Sequence, residues 1–180
     1  MKCTPGWLAG SPRPRDPDLL TVQRYLAPSD FSVEEAWRLV EWCRERGADE
    51  FTIDCLGSEK VVEAKVWRPF EKLVRAFSKG EMVRERMSGR TADELTRATK
   101  VWELNATTID ALQRALPGGL LAYDPVEQGW FEDPVFYRDG RLMLGVLSHE
   151  AFAIMRLTEA EAAELSATGF PSHDSLPRVG

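Results

Sequence analysis

The stretch "VFYRDGRLMLGVL", residues 135–147, decides the fold. Aspartate followed by glycine between two apolar runs is the strongest short hairpin signal, because a two-residue type I′ turn needs positive φ at both central positions. With Asp139 and Gly140 at the corner, the pairing sets Arg138 opposite Arg141, Tyr137 opposite Leu142, Phe136 opposite Met143 and Val135 opposite Leu144. One face then carries Val135, Tyr137, Leu142, Leu144 and Val146 without a charge, which assigns it to the interior. A third strand, "AFAIMRL", follows. Thr158 and Glu161 form a capping box, each side chain satisfying an unpaired backbone N–H, for the helix "EAEAAELSA", and Gly169 closes it. The C-terminal third is therefore a three-stranded meander followed by a helix.

Upstream, the clearest helix spans residues 33–46. Ser32 and Glu35 make its capping box, and Val33, Ala36, Val40 and Cys43 recur at helical spacing, with Trp37 and Leu39 widening the apolar stripe. Arg44 and Arg46 suit the negative end of the helix, and Gly47 supplies a left-handed cap. "EFTIDCL" alternates Phe51, Ile53 and Cys55 with Thr52 and Asp54, as in a strand packed by one face. A strand in "LLTVQRYL" completes a strand–helix–strand unit over residues 19–56. The same grammar recurs over 98–124: strand "KVWEL", a helix "IDALQRAL" capped by Thr107 or Thr108 and ended by Pro117-Gly118-Gly119, then strand "LLAYD". Between the two units, "VVEAKVW" reads as a strand or a helix start, and Pro69 opens a helix with Phe70, Leu73, Val74 and Phe77 on one stripe. Residues 81–100 fit either a hairpin or a short helix with a strand.

These elements make an α+β fold: a mixed or mainly antiparallel sheet with three to four helices packed on one side. Its organisation is a Pro-rich extended arm over residues 1–18, a single domain over 19–170 and a tail over 171–180.

Composition narrows the function. A hydrophobic content of 43% with 29% charged residues is that of an ordinary globular chain. No apolar run approaches the roughly 18 residues of a membrane span. The N-terminal stretch lacks the apolar segment of a signal peptide, so the expected location is the cytoplasm. Three cysteines, Cys3, Cys43 and Cys55, make neither a disulfide framework nor a CxxC metal spacing. The net charge of -6 is uneven: residues 60–100 hold 11 Lys and Arg against 6 Asp and Glu. A basic middle in an acidic frame of mixed sign disfavours nucleic acid as the partner.

Ser148-His149-Glu150 falls where the second meander strand turns into the third, where polar residues satisfy a turn's own backbone. Alternatively, His149 acts as a general acid or base. Its neighbour Glu150 points the other way, so the carboxylate must come from Glu132, Asp133 or Asp54. "SHDS", residues 172–175, repeats the letter order in a Pro-flanked tail and carries no triad, since adjacent residues cannot converge as triad members do. A zinc site from His149, His173 and a cysteine has no supporting ligand spacing, and no Gly-rich phosphate loop is present, so no metal or cofactor is expected. Arg138 and Arg141, with Arg156 beside them, form a cationic cluster that needs an anion, from within the chain or from a partner. Trp130 and Phe131 lie in the connection 123–134, where aromatics anchor interfaces or lid their own core. The expectation is a non-catalytic module that binds another protein through Trp130, Phe131, Arg138, Arg141 and Arg156, of bacterial immunity or antitoxin type. The alternative is a small hydrolase using His149 with Glu132 or Asp133.

Overall fold

The computed structural model describes residues 22–27, 30–55, 63–86, 95–120, 131–150 and 152–175. The elements are β1 (Val22–Leu26), α1 (Val33–Glu45), β2 (Glu50–Cys55), α2 (Arg68–Val74), β3 (Ser78–Arg86), β4 (Leu95–Glu103), α3 (Ala106–Ala115), β5 (Phe131–Arg138), β6 (Arg141–Leu147), β7 (Phe152–Leu157) and α4 (Glu159–Ala167). The seven strands form one sheet in the order β1-β7-β6-β5-β2-β4-β3, with every neighbouring pair antiparallel. The α+β class and the meander-plus-helix C-terminus are as expected. No helix among the described residues is long and apolar enough to cross a membrane.

Local chemistry accounts for most element boundaries. The capping boxes Ser32–Glu35 and Thr158–Glu161 are both formed. The cap of α3 is a correction: Asn105, not a threonine, occupies the N-cap, and Thr108 answers it from three residues on. Asparagine is as good an acceptor for these unpaired amides as threonine, and it stands one turn earlier. "EAKVW" resolves as a wide π turn, Glu63–Trp67, running into α2. Residues 81–86 and 95–100 are strand, so the hairpin reading holds there: β3 and β4 pair from Ser78↔Trp102 to Arg86↔Leu95. The strand "LLAYD" from residue 121 on and the arm 1–18 lie outside the described residues.

At the hairpin corner, Asp139 and Gly140 adopt φ of 51° and 73°, the signature of the expected turn. The register departs two residues further on. Arg138↔Arg141 and Tyr137↔Leu142 pair as expected, but Phe136 faces Leu144 and Val135 faces Gly145, because one extra residue, Met143, is accommodated in β6. The apolar set is therefore split between two sides. Leu144 and Val146 join the core beneath the helices, while Val135, Tyr137 and Leu142 form a separate cluster on the other side. All five are buried.

The helical side holds the main core. Ala36, Leu39, Val40 and Cys43 of α1, Phe70 and Val74 of α2, Ile109 and Leu112 of α3, and Ala162 and Leu165 of α4 meet the sheet there. An aromatic knot sits at its centre: the Phe51 and Trp102 rings are 5.5 Å apart, those of Phe70 and Phe131 4.9 Å, and those of Trp67 and Trp102 5.8 Å. Burying each such ring supplies about 1.5–3 kcal/mol.

The second side is also closed, contrary to a strand packed by one face. Thr52 is completely buried and Glu50 nearly so. The cause is β3, which lies at one edge of the sheet yet folds back towards β6. The Tyr137 hydroxyl donates to the Glu85 carbonyl at 2.8 Å, the Leu142 amide and the Arg156 guanidinium donate to the Glu85 carboxylate, and Arg84 pairs with Glu50.

The turn generates a first prediction. Gly140→Ala places a Cβ at a φ that L residues enter at a cost of about 1–2 kcal/mol, and the new methyl meets the Arg84 guanidinium carbon at 3.5 Å, an ordinary contact. Urea denaturation should show that loss; a change below about 0.5 kcal/mol, the level of an ordinary surface substitution, would contradict the turn assignment.

Candidate functional site: a histidine and two carboxylates at a strand bulge

Glu132 and Asp133 belong to β5 itself, not to a connection preceding it. Across from them, Thr52 pairs with Val135 and Asp54 with Glu132, so Ile53 alone opposes Asp133 and Pro134. Two residues against one is a bulge. Proline has no N–H to give the ladder and is accommodated at such a place. Asp133 takes φ of 49°, in the left-handed region that aspartate enters more readily than most residues. The bulge interrupts strict alternation: Glu132 faces the same side as Asp54, and the Asp133 carboxylate reaches the end of β6.

A reciprocal pair of hydrogen bonds holds it there. The Ser148 amide donates to Asp133 Oδ1 at 2.8 Å, and the Asp133 amide donates to Ser148 Oγ at 3.0 Å. Ser148, His149 and Glu150 form one 3₁₀ turn between β6 and β7. The turn reading of this triplet is thus correct in structure, and it also brings His149 to the carboxylates. His149 Nδ1 lies 3.9 Å from Asp133 Oδ2, with the imidazole half exposed and the aspartate side chain mostly buried. One ligating atom from each of Glu132, Asp133 and His149 falls within 4.8 Å of the other two.

Electrostatically the place is unbalanced. Asp54 and Glu132 are direct cross-strand neighbours, an unfavourable pairing of like charges. The nearly buried Arg86 answers Asp54 through one guanidinium nitrogen and donates to Thr52 Oγ1 at 3.2 Å through the other. The Glu132 carboxylate makes no hydrogen bond or ion pair among the described residues. Partial burial, reinforced by Asp133, raises its pKa above the ordinary range. Burial likewise raises that of Asp133, against the lowering effect of the Ser148 amide.

The residues expected to bind a partner do not gather into one surface. Arg138 is paired with Glu161 and also donates to the Arg46 carbonyl; Arg156 is paired with Glu85. The chain thus supplies anions to both. Arg141 is exposed at the hairpin corner and forms no ion pair among the described residues. Phe131 is buried in the aromatic knot, and Trp130 lies outside the described residues. Neither described cysteine is poised as a nucleophile: burial raises the Cys43 thiol far out of the reactive range, and burial followed by the Asp54 charge raises Cys55. His173 contacts Asp30 at 2.9 Å and its backbone pairs with Tyr25 on the outer edge of β1, a structural clasp away from the His149 cluster.

One further feature was not legible. A groove of about 320 Å³ runs between α2 and α3, with Val66, Pro69, Phe70, Leu73, Ala111 and Phe131 among its lining residues and Lys65 and Arg114 beside them. Leu73, assigned to the apolar stripe of α2, is 47% exposed. Only the packing of two helices separated by thirty residues creates it.

Compared with family models, curated proteins and solved structures, the chain matches none.

The raised pKa of Glu132 makes a second prediction. A carboxyl that holds its proton to higher pH in the folded chain stabilises the fold below the unfolded pKa, about 4.3, and that contribution is lost as pH rises through the folded value. Glu132→Gln removes the penalty. In buffer without added metal the variant should melt higher than the parent at neutral pH, with the gap closing near about pH 4. A variant that melts lower at neutral pH, or a gap that ignores pH, would contradict this account.

Proposed function

We propose that the protein is a non-catalytic protein-binding module, of the kind that bacterial immunity and antitoxin proteins represent, and that its partner docks in the groove between α2 and α3. The observation that carries the reading is Leu73, a large apolar side chain left 47% open to water at the mouth of an apolar groove. Exposed apolar side chains scattered singly are normal, but one continuous with a concave lining of Val66, Pro69, Phe70 and Ala111 supports a docking place. Two helices with a groove between them suit the apolar anchors of a partner helix. The overall charge of -6 assists encounter with a basic partner without defining it.

The hydrolase reading is supported by the convergence of His149, Glu132 and Asp133. It lacks the geometry of proton transfer. The approach of the His149 imidazole to Asp133, 3.9 Å, exceeds hydrogen-bond reach, and His149 lines neither the groove between α2 and α3 nor the polar hollow of Arg68, Glu71, Lys72 and Arg75.

Leu73→Asp tests the docking reading, because a half-exposed side chain can be replaced with little effect on the fold. Affinity purification from the native host should return one stoichiometric partner with the parent chain. The variant should bind that partner about 30-fold more weakly, the loss typical of an interface hot spot, with an unchanged melting temperature. No partner under several conditions, or equal binding by the variant, would overturn the assignment.

A further inference from the structure

We propose that Glu132, Asp133 and His149 bind a first-row divalent cation, with zinc the best fit to one imidazole and two carboxylates. The site lies on the side of the sheet away from the helices, so it is independent of the docking groove. Three observations carry it.

The first is spacing. Imidazole nitrogen and carboxylate oxygen sit about 2.0–2.2 Å from zinc, which sets two ligands of one ion about 3–4.2 Å apart, depending on their angle. The 3.9 Å between His149 Nδ1 and Asp133 Oδ2 is too long for a hydrogen bond and falls inside that interval. The widest separation permitted in the group, 4.8 Å, closes with a small side-chain rotation of Glu132 or His149, both at least partly open to solvent.

The second is charge. Asp54, Glu132 and Asp133 bring three carboxylates together, and among the described residues Arg86 engages them through Asp54. A divalent ion between Glu132 and Asp133 neutralises the remainder and removes the like-charge opposition across the β2–β5 ladder. Partial burial makes that relief larger than it would be in open water.

The third is preorganisation. Asp133 Oδ1 is occupied by the Ser148 amide, which leaves Oδ2 turned to the imidazole. An outer hydrogen bond that fixes a ligand's orientation is what metal-binding carboxylates require. Three protein ligands leave room for water or for a group from another molecule to complete the coordination.

The test uses the full chain stripped with a chelator and titrated with zinc chloride, followed by calorimetry and by thermal melting. The expected result is saturable binding of one ion per chain and a rise in melting temperature, since an ion that binds only the folded state stabilises it. His149→Ala and Glu132→Gln should each weaken binding about tenfold or more, while zinc-free melting shows both variants folded. Ser148→Ala, which removes one of the two bonds of the clamp but no ligand, should weaken binding by less. Absence of saturable uptake at millimolar zinc would overturn the proposal. So would binding of parental strength in both ligand variants, which would assign the ion to His173 with Asp30 or to a cysteine instead.

Discussion

A guanidinium buried at the end of β3 organises this molecule. Arg86 lies at one edge of the sheet in strand order, yet its side chain reaches Thr52 and Asp54 on β2, in the middle. It does so because β3 folds back over the side of the sheet that the helices leave uncovered. Arg84 on Glu50 and Glu85 on Tyr137, Leu142 and Arg156 extend the same contact along the strand. A buried charge is costly unless it is paired and hydrogen-bonded. Arg86 meets both conditions through Asp54 and Thr52 of β2, so its pairing specifies where the edge strand lands. The Tyr137 hydroxyl, 3.1 Å from Thr52 Oγ1, completes a buried polar seam that separates this side from the aromatic knot on the other.

That seam also explains why the bulge at Asp133 matters. An unbroken β5 would alternate Glu132 and Asp133 to opposite sides. The extra residue, opposite Ile53, instead lets Asp133 reach the turn after β6 while Glu132 stays beside Asp54. The protein therefore holds Asp54, Glu132 and Asp133 close together at the end of the seam, where Arg86 engages Asp54. The groove between α2 and α3 lies on the other side of the sheet, with Phe131 in its lining and Glu132, one residue later, facing away from it. Two candidate functions thus share one strand and use its two sides.

Local signals in the sequence were legible where local chemistry decides. Asp139-Gly140, Ser32–Glu35 and Thr158–Glu161 each name their turn or helix start, because the backbone groups involved have few other partners. Alternation along β2 identified its apolar side but missed the burial of Glu50 and Thr52, since no local pattern reports that a distant strand will cover them. Bulges were the main source of register error. Met143 offers no turn residue to announce the extra position in β6, whereas the Asp133-Pro134 step in β5 did carry a signal: proline inside a strand-forming run points to an edge or a bulge. The candidate trio was legible as residue types, and Glu132 and Asp133 were named as partners for His149. Arg86, which answers Asp54, was not, and Ser148 was read only as a turn residue satisfying its own backbone, because its bonds to Asp133 join positions far apart in sequence.

The stability of Arg86→Met measures the central claim most directly. Methionine keeps much of the volume and removes the charge, leaving Asp54 beside Glu132 without its guanidinium. If Arg86 is the anchor described, urea denaturation will show a loss of about 3 kcal/mol, the lower end for breaking a buried pair, because the Asp54 side chain is 24% open to water. A loss of about 0.5 kcal/mol or less, the size of an exposed ion pair, would contradict the account and detach β3 from the face it is described as closing.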